Sequence, residues 1–459
     1  MLSQLLQPEI KSLINERKLS TVKEVLSDWS PADIAELMSD LTENEQAVLF
    51  RVLPHDLAAD TFEYLEFDNQ VTLLKAMGNE EVALILNDMS PDDRTALLED
   101  LPSSAARQMM MLLSAEERNV ARTLLGYPED SVGRLMTPDY LAVKPEWTIE
   151  EVLNYIRKNG GDKETISTLY VVDGKGKLID DVRIRDILLA EFHQQILDLM
   201  DENYIALNVY DDQETAVEIF KKYDRVALPV VDSFGVLLGI VTVDDVLDVA
   251  EEEATEDIHK LAGISALEEA YSSVSLFEMI KKRAGWLALL FVGEMFTATA
   301  MGLFEGEIQK AVILALFLPL IISSGGNSGS QASTLVIRAL SLGQISLKDW
   351  FFVVRREILT GISLGAILAS IGFLRISLWQ VAGNIYGIHW FLIALTVSLA
   401  LIGVVLWGTL AGSMLPFILK GLGADPAASS APLVATLVDV TGLIIYFLVA
   451  LFILQGTLL

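Results

Sequence analysis

The 459-residue sequence predicts a multidomain membrane protein: an all-α N-terminal superhelix, an α+β tandem pair, a connecting helix and a bundle of five transmembrane helices. Three observations carry this prediction. The first is a charge split, because residues 1–280 hold 56 of the 63 acids and 23 of the 33 bases. Their net charge is −33, while the remainder, with seven acids and ten bases, is +3. The second is an internal duplication at an offset of 59 positions. The third is a set of five apolar stretches beyond Lys281, each long enough to cross a bilayer as a helix.

Residues 1–130 read as an acidic helical superhelix. From Ser20 to about Gly126 short amphipathic stretches are broken by Ser-Pro or Leu-Pro, at Ser30-Pro31, Leu53-Pro54, Ser90-Pro91 and Leu101-Pro102. Proline after serine suits the N-cap and first-turn positions of successive helices. Recurring helix hairpins of this kind stack into a superhelix. The negative charge of this half repels nucleic acid and makes cations the expected partners. With no cysteine the chain has no disulfide and no thiolate metal site. His55, His193, His259 and His389 are too scattered for a zinc centre.

Residues 131–250 carry the duplication. Tyr170-Val171-Val172-Asp173-Gly174-Lys175-Gly176-Lys177-Leu178 followed by Arg185-Asp186-Ile187-Leu188 returns as Pro229-Val230-Val231-Asp232-Ser233-Phe234-Gly235-Val236-Leu237 followed by Asp244-Asp245-Val246-Leu247. Strand, acidic glycine turn, strand and capped helix are repeated in register. Residues 251–280 then read as an acidic connecting helix, Ala250-Glu251-Glu252-Glu253-Ala254-Thr255-Glu256-Asp257 at its head.

Residues 281–459 supply the spans, at about Trp286 to Phe304, Ala311 to Val336, Phe351 to Phe373, Trp390 to Leu419 and Leu433 to Leu454. Lys281, Lys282 and Arg283 precede the first span, Arg338, Lys348, Arg355 and Arg356 surround the second connection, and Lys420 lies in the fourth. The positive-inside rule then puts the N-terminal half in the cytoplasm and the C-terminus outside. The first residues lack the pattern of a signal peptide. The expected location is a bacterial inner (plasma) membrane, with lipid around the spans.

Two features of this half carry chemistry. Asp439 is the one acid in the last span, and a carboxylate at that depth is unfavourable by a few kcal/mol or more unless it faces protein or water. The second span contains Pro319 and then Ser323-Ser324-Gly325-Gly326-Asn327-Ser328-Gly329-Ser330-Gln331, read as an interruption that exposes backbone carbonyls. Carbonyl, amide and carboxylate oxygens are hard ligands suited to Mg²⁺ or Ca²⁺, and a hydrated Mg²⁺ needs only one or two carboxylates. Glu294 is a further intramembrane acid, for which a structural, a proton-linked and an ion-binding role are all open. Two other readings compete with an ion path. One is an intramembrane hydrolase, since Gly326-Asn327-Ser328-Gly329 contains a G-x-S-G string; it is disfavoured because His389 sits in the third connection, far from the serine. The other is a membrane-anchored Mg²⁺ sensor without conduction, which leaves Asp439 and the glycines without purpose.

The tandem module resembles a cystathionine-β-synthase-type (CBS) pair, through Leu135-Met136-Thr137-Pro138 and the Gly239-to-Asp245 junction. The resemblance implies adenine nucleotide (ATP) held by Thr242 and Asp245, against a simpler reading of Thr242 as a helix cap. The first repeat departs from the pattern, with Arg183 before Asp186 and Asp180-Asp181 where a small residue is usual.

End to end, the chain is similar to MgtE-type magnesium channels. The matching segments are Gly325-Gly326-Asn327-Ser328-Gly329-Ser330-Gln331, Asp425-Pro426-Ala427, Pro432 to Leu443, and Val241 to Val249 running into Ala254-Thr255-Glu256-Asp257-Ile258-His259-Lys260-Leu261. This resemblance implies a non-enzymatic homodimer that takes up Mg²⁺ and is closed by cytosolic Mg²⁺. Its pore would hold Asp439, Asn327, Gly325 and Gly326. Its regulatory Mg²⁺ ligands would be Asp60, Asp92, Glu214, Asp224, Asp245, Asp248, Glu253, Glu256, Asp257 and Asp425. Where the family often has another acid one turn after Asp92, this chain has Ala96.

Overall fold

A computed structural model describes residues 2–161, 163–265 and 274–459. The chain forms two compact units, residues 1–251 and 252–459.

The first unit begins with ten helices between Leu2 and Leu124. Their ends follow from local chemistry. Ser30 accepts a hydrogen bond from the Asp33 amide, with Pro31 in the first turn of Pro31–Ser39. Thr42 and Glu45 close a capping box on Glu43–Val52. Most of these helices pack on the next but one: Leu2–Asn15 on Pro31–Ser39, Pro31–Ser39 on His55–Glu63, His55–Glu63 on Asn79–Asp88 and Asn79–Asp88 on Ser103–Leu112. That alternation makes the stacked superhelix expected from the Pro punctuation. Its core is a continuous row that includes Leu26, Ile34, Leu49, Phe62, Leu73 and Leu86, all buried.

Two three-stranded sheets follow. The first is β1 (Ala142–Val143), β2 (Thr168–Val172) and β3 (Leu178–Arg183); the second is β4 (Leu207–Asn208), β5 (Ala227–Val231) and β6 (Leu237–Thr242). In each, the outer short strand runs parallel and the hairpin antiparallel. The duplication holds at the level of single bonds. Val171 pairs with Asp180 as Val230 pairs with Gly239, with a bulge after each valine. Asp173 Oδ1 accepts from the amides of Lys175 and Lys177, and Asp232 Oδ1 from those of Phe234 and Val236. Gly176 and Gly235 both sit at φ 81°, the left-handed position each turn requires. Asp180 departs from its counterpart Gly239: it is wholly buried and accepts from the Asp201 and Glu202 amides at 2.9 Å each.

The acidic helix is longer than a linker. It runs unbroken from Val243 to Leu261, so it begins as the last helix of the second module. The remainder of the connecting segment expected up to residue 280 includes residues 266–273, which lie outside the described residues.

Among the described residues of the second unit, five helices are long and apolar enough to cross a membrane: Leu276–Leu303, Val312–Ser341, Leu347–Gly383, Trp390–Gly421 and Ala431–Leu454. They are called the first to fifth spans below. One expectation is corrected. Leu318–Ser341 is a continuous helix, with Pro319 in its first turn where proline is tolerated. Gly325 and Gly326 therefore do not break the second span; the irregularity lies earlier, between the short helix Val312–Ala315 and Leu318. Tyr446 of the fifth span holds that bend by donating its hydroxyl to the Leu314 carbonyl at 2.9 Å.

The glycines serve helix packing. A Cβ on Gly325 would meet Val404 and Val438, and one on Gly329 would lie 2.9 Å from the Gly408 carbonyl. A Cβ on Gly408 or Gly412 would in turn strike the carbonyl of Gly325 or Gly329. Two glycine pairs spaced by four thus bring the second and fourth spans into backbone contact.

Candidate functional site

Asp439 lies in the fifth span, about 12 Å from the helix start at 1.5 Å per residue. It faces the second span at Gly326: a Cβ built there would stand 3.5 Å from Ala435 and 3.6 Å from Asp439 Oδ1. A Cβ there would make ordinary contact, and a side chain reaching beyond it would press on that carboxyl. The Asp439 carboxyl also lies beside that of Glu294 in the first span. One turn away the first and fifth spans approach closely, since a Cβ on Gly293 would meet Thr436 Cγ2 at 2.6 Å.

The second span turns a polar stripe outward beside this point. Ser323, Asn327 and Gln331, four residues apart, are exposed, whereas Gly325, Gly326, Ser328 and Gly329 are buried. Asn327 Nδ2 donates to Ser323 Oγ at 3.4 Å. Ser328, the serine of the G-x-S-G string, has its hydroxyl buried without a hydrogen-bond partner, so no base is seated on it. Gly325 points at Val404 and Val438 rather than toward Asp439, so of the two paired glycines only Gly326 borders the acid.

A second group forms within the first unit. Asp92 and Asp93, in the first turn of Pro91–Asp100, lie against Glu164 and against Asp244, Asp245 and Asp248 of the Val243–Leu261 helix. Asp92 is 7% exposed, and its Oδ1 has no hydrogen-bond partner. Burial, followed by the carboxylates of Asp245, Asp93 and Glu164, pushes Asp92 well above the ordinary carboxylate range. Asp245 is pushed up to about 7, again chiefly by burial, although Thr242 Oγ1 donates to its Oδ2 at 2.5 Å and opposes the shift. Asp93, Glu164 and Asp248 are raised for the same leading reason. Nearby, Glu63 is pushed up to about 7 by burial and by Asp93, while accepting from the Ser90 amide at 2.7 Å.

A third group lies in the second unit. Lys260 Nζ stands 2.6 Å from Glu256 Oε1 and 2.7 Å from Asp425 Oδ2. Asp425 Oδ1 accepts from the Ala427 amide at 2.8 Å, which caps the turn leading into the fifth span. Although burial works against its charge, those hydrogen bonds hold Lys260 above its ordinary pKa. Asp257 beside it is raised by burial and by Asp425.

Of the other expected acids, Asp60 is close enough to Glu63 to add to its shift. Asp60 is raised by partial burial and by Asp56, in its own helix. Glu214 occupies the first turn of Gln213–Tyr223, and Asp224 is that helix's left-handed C-cap. Glu253 lies on the Val243–Leu261 helix. Among the described residues no three His, Asp or Glu side chains are arranged to hold one metal ion. The structure adds Asp93, Glu164, Asp244, Glu63 and Lys260, none of which the sequence singled out. Asp93 and Asp244 adjoin expected acids and so had a local signal; Glu164 sits in a turn and had none.

The arrangement meets known proteins in three separate regions. Residues 318–449 match the MgtE family described as divalent cation transporter, residues 29–130 the MgtE intracellular N domain, and residues 132–193 and 196–252 the CBS domain. A Thermus thermophilus protein named magnesium transporter MgtE is 40% identical over 345 residues, 75% of each chain. The Bacillus subtilis protein of the same name is 31% identical over 438 residues, 95% of each. The solved cytosolic domain of the Mg²⁺ channel MgtE in complex with ATP aligns with a TM-score of 0.51 at 34% identity, covering 53% of this chain and 100% of that one.

Proposed function

Because the chain belongs to the MgtE family of divalent cation transporters, we propose that this multi-pass membrane protein passes Mg²⁺ beside Asp439 and is closed by Mg²⁺ bound to its acidic cytoplasmic half. The observation that carries the reading is Asp439, a carboxylate in a 24-residue apolar helix, set against Gly326 and flanked by an outward polar stripe. A lone ion-facing acid suits Mg²⁺, which keeps most of its water and takes few protein ligands. Asn327 would contact the hydrated ion, and Gly326 would keep the carboxyl accessible. Gly325 contributes by packing rather than as a ligand.

In this reading the chain works as a homodimer in a bacterial inner membrane, N-terminus inside and C-terminus outside, with exposed stripes of two copies facing one another. Residues 1–130 and the tandem pair of 131–250 sense the ion, residues 251–280 relay it and residues 281–459 conduct it. Asp92, Asp245 and Asp248, with Asp93, Glu164 and Asp244, form the strongest regulatory site, since a buried acid lacking a partner is unfavourable unless a cation or a proton joins it. Asp60, Glu214, Asp224, Glu253, Glu256, Asp257 and Asp425 complete the regulatory set. ATP has a weaker footing: Thr242 and Asp245 carry the nucleotide pattern, yet here they bond to each other at the start of a helix.

The test is Mg²⁺ entry into liposomes holding the purified protein and a Mg²⁺-sensitive dye. Entry above that of empty vesicles, falling as Mg²⁺ on the cytoplasmic side rises through the millimolar range, is expected. Rates equal to empty vesicles overturn conduction, and rates indifferent to cytoplasmic Mg²⁺ overturn the closure.

A further inference from the structure

Beyond Asp439, a second carboxyl group sits at membrane depth, on the first span. Glu294 is the sole acid between Lys281 and Phe304, on a helix whose neighbouring side chains Phe291, Val292, Met295 and Phe296 are exposed apolar groups. Such a position suits any apolar residue, and a carboxyl there is unfavourable by a few kcal/mol or more unless something polar receives it. The polar neighbour it has there is Asp439 itself, whose carboxyl lies beside its own.

The contact is built by the helices. The first span packs on the fifth, and Gly293 lets the two backbones approach at Thr436, one turn before Asp439. Glu294 is therefore delivered to the acid by a specific close approach. A structural pairing with Asp439 would be served as well by a neutral amide, which donates a hydrogen bond without adding charge. Two neighbouring carboxyls instead give a site that, with both ionised around a bound cation, matches the charge of a divalent ion.

Taking the ion path beside Asp439 as given, we propose that Glu294 is its second carboxylate, a specificity-determining residue that sets affinity for the divalent ion over monovalent ions. Two such groups per subunit would attract a hydrated divalent ion about twice as strongly as a monovalent one at equal distance. Glu294 would engage the ion through its water shell.

The test compares wild type, Glu294→Gln, Glu294→Asp and Asp439→Asn in the liposome assay, reading the half-saturating Mg²⁺ concentration, the maximal rate and K⁺ entry. Glu294→Gln keeps size and hydrogen bonding, so a purely structural Glu294 predicts no change in any of the three. The proposal predicts a half-saturating concentration raised on the order of tenfold, the scale of one lost charge contact, with K⁺ entry increased. Glu294→Asp restores both toward wild type if charge is what matters. Wild-type affinity and selectivity in Glu294→Gln overturn the proposal, as does a defect that Glu294→Asp shares in full. If Asp439→Asn blocks entry while Glu294→Gln behaves as wild type, the ion path stands and only the role of Glu294 falls. If Asp439→Asn conducts normally, the ion path fails and takes this inference with it.

Discussion

Lys260 Nζ lies 2.7 Å from Asp425 Oδ2, joining the acidic helix that leaves the tandem modules to the turn that leads into the fifth span. The same ammonium is 2.6 Å from Glu256. A side-chain cation thus occupies a place between two carboxylates expected to bind Mg²⁺. Exposed ion pairs contribute roughly 0–1 kcal/mol each, but this lysine is only about one-third exposed and makes two.

Replacing Lys260 by Met removes the internal cation and leaves Glu256, Asp257 and Asp425 facing one another. Flux at low cytoplasmic Mg²⁺ should rise, and inhibition by Mg²⁺ should become steeper because the ion must now supply all the bridging charge. Dose–response curves in liposomes check this. Unchanged flux at low Mg²⁺ would mean the Lys260–Asp425 contact does not restrain the pathway.

The acids around Asp92 give a pH dependence whose sign is fixed. Asp245 and Glu63 hold protons up to about 7 in the folded chain, against ordinary values of 3.8 and 4.5. Between those limits the folded state binds more protons than the unfolded one, so stability falls as pH rises. Without Mg²⁺, calorimetry of the detergent-solubilised protein should show a lower unfolding temperature for the cytoplasmic part at pH 8 than at pH 6. Mg²⁺ added at pH 8 should restore it. A transition that rises with pH would show that these carboxylates are paired differently.

Asp92→Asn should act in the same direction. It replaces a buried acid, one oxygen of which lacks a partner, with a neutral amide, and it should stabilise the Mg²⁺-free first unit by about 1–2 kcal/mol, the scale of an uncompensated polar burial. Its inhibition by Mg²⁺ should shift to higher concentration, because a ligand is lost. Destabilisation at pH 8 without Mg²⁺ would contradict the view of Asp92 as an unsatisfied charge.

Removing residues through Gly126 deletes Asp92 and Asp93 together with the whole superhelix. The truncated protein should still conduct but lose most of its inhibition by millimolar Mg²⁺. Patch recordings with unchanged inhibition would exclude bridging between these acids as the gate.

Much of this was legible in the sequence because it is local. The Pro-punctuated helices, the 59-residue repeat down to its glycine turns, and the five spans all rest on periodicity and turn chemistry within a few residues. What escaped is tertiary. Glu164 meets Asp245, and Lys260 meets Asp425, across separations that no local pattern encodes. Gly325 and Gly326 stand out in the sequence, but a glycine pair signals close approach and backbone irregularity alike. The spacings Gly325 to Gly329 and Gly408 to Gly412 favour approach.

The central claim is that Asp439 stands in the path of the ion, and Mg²⁺ entry through Asp439→Ala and Asp439→Asn tests it most directly. Both proteins should remain folded and assembled by gel filtration, with entry abolished in Asp439→Ala and reduced to a small residue in Asp439→Asn; Gly326→Leu, which presses on the same carboxyl, should also block. Wild-type Mg²⁺ entry through folded Asp439→Ala would contradict the account.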